Sequence, residues 1–273
     1  MKKWNTSKIR AAKGSYKLAC LTAYDYAFAR LADSAGVHII LVGDSLGMTT
    51  LGYPTTIPVT MDDMLHHTAA VVRGTQEALV IADMPFLSYQ VSIEEALRNA
   101  GRFLQEAGAD GVKIEGGAIR RGCVEALTNN GIPVLGHIGL LPQSIHNLGG
   151  YRVQGKTREA VNTLLEDARE LAAAGAFAIV LECVPPDIAA LITAAVPVPV
   201  IGIGSGSACD GQVLVMNDLL GLSESLPAKF VKQYACLAPQ IKAAFASYIA
   251  DVQAGDFPAP EHFYSPAQSK SDL

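Results

Sequence analysis

Three near-repeats, Ser34-Ala35-Gly36-Val37, Glu106-Ala107-Gly108-Ala109 and Ala173-Ala174-Gly175-Ala176, each close an Ala-rich helical pattern on glycine and then open a β-type run. Glycine suits that junction, because it enters the left-handed region just past a helix at little cost and turns the chain back toward a sheet. Strand-like runs recur along the chain: Leu18 to Thr22, Val37 to Val42, Leu79 to Ala82, Gly111 to Ile114, Ile132 to His137, Ala178 to Leu181, Val198 to Ile203 and Gln212 to Met216. Helical segments separate them, one of which starts at the capping spacing Ser92-Ile93-Glu94-Glu95 and runs to about Ala107. Strands alternating with helices pair in parallel through crossover connections. About eight such units within 273 residues, with no linker-like stretch between them, predict a closed (β/α)8 TIM barrel rather than an open sheet.

After Met216 the pattern turns mostly helical from Pro227 to Val252. Phe230, Tyr234, Leu237, Ile241, Phe245 and Ile249 recur there near helical spacing, so this extension is expected to bury one face. The domain reading is a single barrel domain over residues 1–264, C-terminal helical extension included, with residues 265–273 expected to be a disordered tail.

Four of the apolar runs finish on a carboxylate: Asp44 in Gly43-Asp44-Ser45, Asp83, Glu115 and Glu182. One acid at a strand end is commonly a cap for the following helix, but four of them, with Lys113 beside Glu115, mark a site. In a parallel barrel all four converge on the end of the sheet where such folds carry their chemistry. Asp44, Asp83 and Glu115 offer hard oxygen ligands, which suit Mg²⁺. A 2-oxo acid can fill open positions of such an ion with its keto and carboxylate oxygens, which acidifies the neighbouring C–H and gives a metal-held enolate. That chemistry needs a base that is not itself a ligand, and Glu182, on the sixth strand, is assigned that role. Lys113 shares the pleat face of Glu115 by strand alternation, and its charge is placed to hold the substrate carboxylate or the developing enolate.

Other candidates carry less. His137 ends a strand within Gly136-His137-Ile138-Gly139, where structural support and a catalytic role are both open. His66 and His67 are adjacent, so on a helix they diverge by about 100° and do not share a metal. Cys183 neighbours Glu182 and is read as a buried small hydrophobe rather than a nucleophile. Gly202-Ile203-Gly204-Ser205-Gly206 lacks the full dinucleotide fingerprint and is read as close backbone approach at the barrel mouth, with phosphate binding as the lesser option. The Gly-rich stretch from Asn147 to Gly155 has the length of a lid.

The formal net charge of -5 and the absence of a Lys/Arg run argue against nucleic acid as partner and leave small-molecule substrates. No segment reaches the roughly 20 consecutive apolar residues of a membrane span, and the basic N-terminus is followed by no apolar stretch. The five cysteines are scattered without a C-x-x-C pair, as in a reducing cytoplasm.

Many ordered segments of the chain resemble the ketopantoate hydroxymethyltransferase family. Among them are Leu21-Thr22-Ala23-Tyr24-Asp25, Val42-Gly43-Asp44-Ser45-Leu46-Gly47-Met48, Ala82-Asp83-Met84-Pro85-Phe86, Val112-Lys113-Ile114-Glu115-Gly116-Gly117, Gly136-His137-Ile138-Gly139-Leu140 and Leu181-Glu182-Cys183-Val184-Pro185. The resemblance implies a barrel of the phosphoenolpyruvate mutase and isocitrate lyase type, with Mg²⁺ held by Asp44, Asp83 and Glu115, some of these through water. It implies that the keto acid contacts Asp44, Ser45, Asp83 and Lys113, and that Glu182 accepts the proton. The implied reaction moves the one-carbon unit of the co-substrate 5,10-methylenetetrahydrofolate onto 3-methyl-2-oxobutanoate, giving 2-dehydropantoate for pantothenate biosynthesis. The implied setting is a cytoplasmic homo-oligomer, a decamer, with the tail helix as a plausible contact. Leu141 departs from the Thr expected in that pattern and Ser205 from a frequent Ala. A carbon-carbon lyase or mutase of the same superfamily is the alternative, although such lyases carry a Lys-Lys-Cys-Gly-His motif that this chain lacks. A non-catalytic scaffold is the further alternative, disfavoured because it has no use for four desolvated acids.

Overall fold

The computed structural model describes residues 3–150, 152–223 and 227–264. The tail from 265 onward lies outside the described residues, as does Tyr151 of the Gly-rich stretch. Eight strands pair in parallel and close into a barrel in sequence order. They are β1 (Leu18–Thr22), β2 (Ile39–Val42), β3 (Leu79–Asp83), β4 (Gly111–Glu115), β5 (Val134–Gly139), β6 (Ala178–Glu182), β7 (Val200–Ile203) and β8 (Gly211–Leu214). The sequence places the starts of β2, β5 and β7 two residues early, at Val37, Ile132 and Val198. The apolar run there includes residues that enter from the preceding turn before pairing begins. In place of a helix, the loop at residues 204–210 carries β7 to β8.

The junction glycines adopt the conformation their position demands, with φ of 87° at Gly36, 77° at Gly108 and 98° at Gly175. Four of the helices outside the barrel start on side-chain caps. Asp25 accepts from the Phe28 N–H, Ser92 from Glu95 and Thr157 from Ala160, while Thr60 and Asp63 cap one another reciprocally. The helix opened by Ser92 runs Ile93–Gln105, close to the expected span.

Alternate residues of the strands point inward and fill the barrel with one apolar cluster, including Cys20, Ile39, Leu41, Leu79, Ile81, Leu135, Val180, Ile201 and Val213. Full burial of a Leu or Ile side chain contributes about 1.5–3 kcal/mol, so this packing is where the barrel's stability lies. Two residues further along β3, β5 and β6 the same inward period reaches Asp83, His137 and Glu182, and on β4 it passes through Lys113 to Glu115. The change from apolar to charged side chains thus occurs at one level around one half of the barrel.

The chain divides into two compact units, Met1–Met216 with Lys229–Val231, and Asn217–Ala228 with Lys232–Leu273. The second unit holds the helix Leu237–Ala254, which begins later than the expected Pro227 and has no buried residue. Its apolar side chains are exposed, Phe245 by 65% and Ile249 by 52%. Among the described residues no helix is long and apolar enough to cross a membrane.

Candidate active site

The strand ends bring Asp44, Asp83, Lys113, Glu115, His137 and Glu182 together around one cavity, which Ser45 and Thr22 also line. Asp83, Glu115 and Glu182 are the last residues of β3, β4 and β6, and Asp44 lies two residues past β2. Gly43 makes that last placement possible, since a Cβ there would stand 2.7 Å from the Ser45 Oγ. The Asp44 N–H donates to Asp83 Oδ2 at 3.0 Å, tying the ends of β2 and β3.

Lys113 Nζ lies 2.5 Å from Asp83 Oδ1 and 3.8 Å from Glu115 Oε1, with all three side chains buried. On the far side of Glu115, His137 Nδ1 is 3.4 Å from Oε1, and the other ring nitrogen is 3.3 Å from Glu182 Oε2. These last contacts are long for hydrogen bonds, and Asp83 Oδ1, Glu115 Oε1 and both His137 nitrogens are buried without a well-formed one. Asp83 Oδ1 nonetheless has the Lys113 ammonium at 2.5 Å, while Glu115 and His137 meet opposite charge at longer range.

Burial and the neighbouring Asp83 and Glu115 charges push the Asp44 carboxyl up to about 8, against the smaller help of Lys113 and Gln143. Burial also raises Asp83 despite Lys113. For Glu115 burial acts in the same direction, but His137 and Lys113 outweigh it and hold the acid below its ordinary range. Burial opposes the charged form of Lys113, yet the surrounding carboxylates keep its pKa above normal. Burial and Lys113 work against protonation of His137, but Glu115 and Glu182 prevail and raise the ring to about 9. Four acids thus face two cations, and Asp44 keeps at neutral pH a proton that a divalent ion would displace.

The donor set fits such an ion in kind, since every acid is a hard oxygen ligand and buried Glu115 Oε1 has only long contacts to its neighbours. Among the described residues no three His, Cys, Asp or Glu side chains form a ready metal cluster. The fit is therefore to a cation of the Mg²⁺ kind, held by one or two carboxylates and completed by water and substrate.

A further set of polar groups surrounds these acids and was not singled out from the sequence. Thr22 Oγ1 donates to Tyr24 Oη at 2.9 Å, and Tyr24 Oη shares a 2.9 Å hydrogen bond with Ser45 Oγ. Buried Gln143 donates from Nε2 to Asp44 Oδ2 at 3.0 Å and accepts at Oε1 from Tyr89 Oη at 2.8 Å. Both tyrosines and Gln143 sit in loops beyond the strands, where hydrophobic periodicity is silent. Their only signal is a polar residue next to a motif.

The lesser candidates resolve as follows. His66 is exposed and His67 bonds the Tyr24 carbonyl at 2.6 Å, with the two rings edge to face, so they form no shared ligand pair. Cys183 is half-buried, and burial with the Glu182 charge pushes its thiol up to about 11, which leaves it protonated at neutral pH. Gly206 shows the close approach expected of its segment, because a Cβ there would lie 2.7 Å from Pro186. Ser205 is fully buried and donates to the Leu181 carbonyl at 2.8 Å. In the Gly-rich stretch, the Gln154 N–H donates to the Cys183 carbonyl at 2.8 Å, which fastens that end beside Glu182.

A family model described as ketopantoate hydroxymethyltransferase matches residues 3–260. The 3-methyl-2-oxobutanoate hydroxymethyltransferase of Syntrophus aciditrophicus is 55% identical over 264 residues, 96% of this chain and 97% of the relative. That of Carboxydothermus hydrogenoformans is 56% identical over 251 residues, 92% of this chain and 91% of the relative. Among solved structures, phosphoenolpyruvate phosphomutase from Streptomyces platensis subsp. rosaceus superposes with a TM-score of 0.61 at 17% identity, covering 94% of this chain and 92% of that one. A phosphonopyruvate hydrolase solved with oxalate and Mg++ gives 0.60 at 15% identity, covering 98% and 93%. At such identity these mutases and hydrolases share the fold alone, so they lend the lyase alternative no support.

The charge balance gives a direct test. In the absence of a divalent cation, folded Asp44 keeps a proton that the unfolded chain releases, so the stability this group contributes is present at low pH and is lost as pH rises toward about 8. In EDTA the thermal midpoint is expected to fall between about pH 5 and about pH 8, and to fall less in Asp44→Asn, which cannot ionise. Parallel pH profiles for the two proteins would contradict this account of the cluster.

Proposed function

The chain belongs to the ketopantoate hydroxymethyltransferase family, and from that premise we propose how its barrel mouth carries out the reaction. The activity is transfer of a hydroxymethyl group to 3-methyl-2-oxobutanoate, a step of pantothenate biosynthesis. The cavity is two-faced, and this observation carries the assignment of roles. Asp83, Lys113, Glu115, His137 and Glu182 line it on one side, while Leu41, Ile203, Val213 and Val215 line it on the other. A branched 2-oxo acid has the same division, with its carboxylate and keto group at one end and its isopropyl group at the other.

Seated to match, the substrate sets its carboxylate toward Lys113 and the Ser45 hydroxyl, with Asp44 and Asp83 beside the keto group. Its methyl groups rest on Ile203 and Val213. Glu182 pairs in register with Ile203, so the acid stands at the border of the two faces, where C3 falls. Glu182 removes the C3 proton, and the bonding pair left on carbon attacks the methylene carbon of 5,10-methylenetetrahydrofolate. One carbon–nitrogen bond of that methylene breaks on attack and water displaces the other, so water supplies the hydroxyl of the transferred group and tetrahydrofolate leaves with the C3 proton and the water's second proton on its two nitrogens. His137, within 3.3 Å of Glu182, orients the base. When bound, Mg²⁺ on Asp44, Asp83 and Glu115, directly or through water, would draw charge from the keto oxygen and make C3–H more acidic. Lys113 holds positive charge at the same oxygen end throughout.

Assembly belongs to this reading as well. The exposed apolar side chains of Leu237–Ala254 suit contact with a second copy, in line with the expected homo-oligomer, a decamer. The five unpaired cysteines suit a cytoplasmic setting.

The decisive assay mixes purified protein, Mg²⁺, 3-methyl-2-oxobutanoate and methylenetetrahydrofolate and seeks 2-dehydropantoate by mass spectrometry. Product is expected, and EDTA is expected to abolish it; turnover indifferent to EDTA ends the metal reading. Glu182→Gln should still bind the keto acid but lose exchange of its C3 proton with deuterated water by about a hundredfold or more. Undiminished exchange removes Glu182 from the role of base. Light scattering of the full chain and of a chain cut after Pro227 should show a large assembly reduced to smaller species; an unchanged mass excludes the tail as the contact.

A further inference from the structure

Gln143 sits in the short turn Pro142–Ser144 beyond β5 and is 4% exposed, yet it does not line the cavity. Both ends of its side-chain amide and its backbone N–H are engaged. Nε2 donates to Asp44 Oδ2 at 3.0 Å and to the Met84 carbonyl at 2.9 Å. Oε1 accepts from Tyr89 Oη at 2.8 Å and from Gln90 Nε2 at 3.1 Å. Its backbone N–H donates to Glu115 Oε2 at 3.1 Å. Because a carbonyl can only accept, the contact with Met84 fixes which end of the amide is nitrogen, and the rest of the pattern follows.

The consequence falls on the acids. Gln143 takes Oδ2 of Asp44 and Oε2 of Glu115, and the Asp44 N–H takes Oδ2 of Asp83. Each of the three carboxylates therefore has one oxygen tied back. Of the other oxygens, Asp83 Oδ1 is taken by Lys113 at 2.5 Å, while Glu115 Oε1 meets only His137 at 3.4 Å and Lys113 at 3.8 Å. A side chain that tied them back with positive charge would compete with a cation, whereas a neutral amide fixes direction without cancelling charge. Tyr89 in turn fixes Gln143, and its hydroxyl also accepts from the Glu115 N–H at 3.2 Å.

We propose that Gln143, buttressed by Tyr89, is a positioning residue that makes Asp44 and Glu115 present single, pre-aimed oxygens to a divalent cation. The proposal rests on the reading of these acids as the cation's holders. A residue beyond the ligands that aims them commonly accounts for 10–100-fold in metal affinity.

The test is titration of Mn²⁺ alone, followed by loss of its free-ion EPR signal, on the parent, Gln143→Met and Tyr89→Phe, with thermal midpoints measured alongside. Gln143→Met keeps the volume and removes the donor to Asp44, while the backbone bond to Glu115 survives, so it reports the Asp44 arm. Its Mn²⁺ affinity is expected to fall at least about tenfold. Tyr89→Phe leaves Gln90 on Oε1 and is expected to lose a few-fold; it carries the test if Gln143→Met does not fold. Folded variants that melt earlier but bind Mn²⁺ as the parent does would show Gln143 to be structural only and overturn the proposal. A parent that binds no Mn²⁺ would overturn the metal reading of the site itself, and this proposal with it.

Discussion

Lys113 among Asp44, Asp83 and Glu115 is the interaction on which the rest of the structure depends. A buried ammonium without partners would cost several kcal/mol, and so would each buried carboxylate. Together they tolerate burial, but incompletely, because the acids outnumber the cations. That imbalance suits the barrel mouth to a cation and to a substrate with polarisable oxygens. It also explains why the layer beneath must be apolar and closely packed: the cluster from Cys20 to Val213 supplies the stability that the charged layer does not. Water kept from below leaves these charges acting through a low dielectric, where they are strong.

Much of this was legible in the sequence because it follows from period and position. An inward-facing strand residue that turns acidic is visible in one dimension, and so Asp83, Glu115 and Glu182 were found as strand ends and Lys113 as the partner of Glu115 on one pleat face. The junction glycines were legible for the same reason, since only a turn back to the sheet needs a left-handed residue after each helix. Gln143, Tyr89, Tyr24 and Thr22 did not emerge as site residues. Their importance lies in which loops meet, and loop ends separated by 54 positions, as Tyr89 and Gln143 are, leave no periodic trace. The helix Leu237–Ala254 marks the opposite limit: an amphipathic pattern states that a face wants cover, but not that the cover comes from the same chain.

The acids on β2 to β4 and Glu182 on β6, the base of the proposed reaction, are supported in different ways. Asp44 is held by the Gln143 side-chain amide and Glu115 by the Gln143 backbone N–H, and both face Lys113, a long side chain that can readjust. Glu182 is gripped by backbone. Gly139, at φ 95°, presses so close that a Cβ would lie 2.3 Å from the Glu182 carbonyl oxygen, and the Leu140 N–H donates to that oxygen at 2.9 Å. On its other side Cys183 holds φ 52°, unusual for a residue with a Cβ, with its N–H donating to the Ile203 carbonyl at 2.9 Å and its carbonyl accepting from Gln154 at 2.8 Å. Such a conformation costs of order 1–3 kcal/mol and persists where its surroundings over-determine it.

That division suits the chemistry. On the proposed reading, oxygens around a cation would exchange partners during each cycle, and the adjustable Lys113 and Gln143 side chains would permit this at little cost. The base must meet one C–H bond at one place each time, and a shift of even 1 Å there is expensive in rate. Fixing Glu182 through the main chain of β5, β6 and β7 makes its position a property of the barrel rather than of any neighbouring side chain. His137 then connects the two halves: its ring touches Glu115 on the adjustable side and Glu182 on the fixed one, so the charge state of either acid is felt by the other through one imidazole.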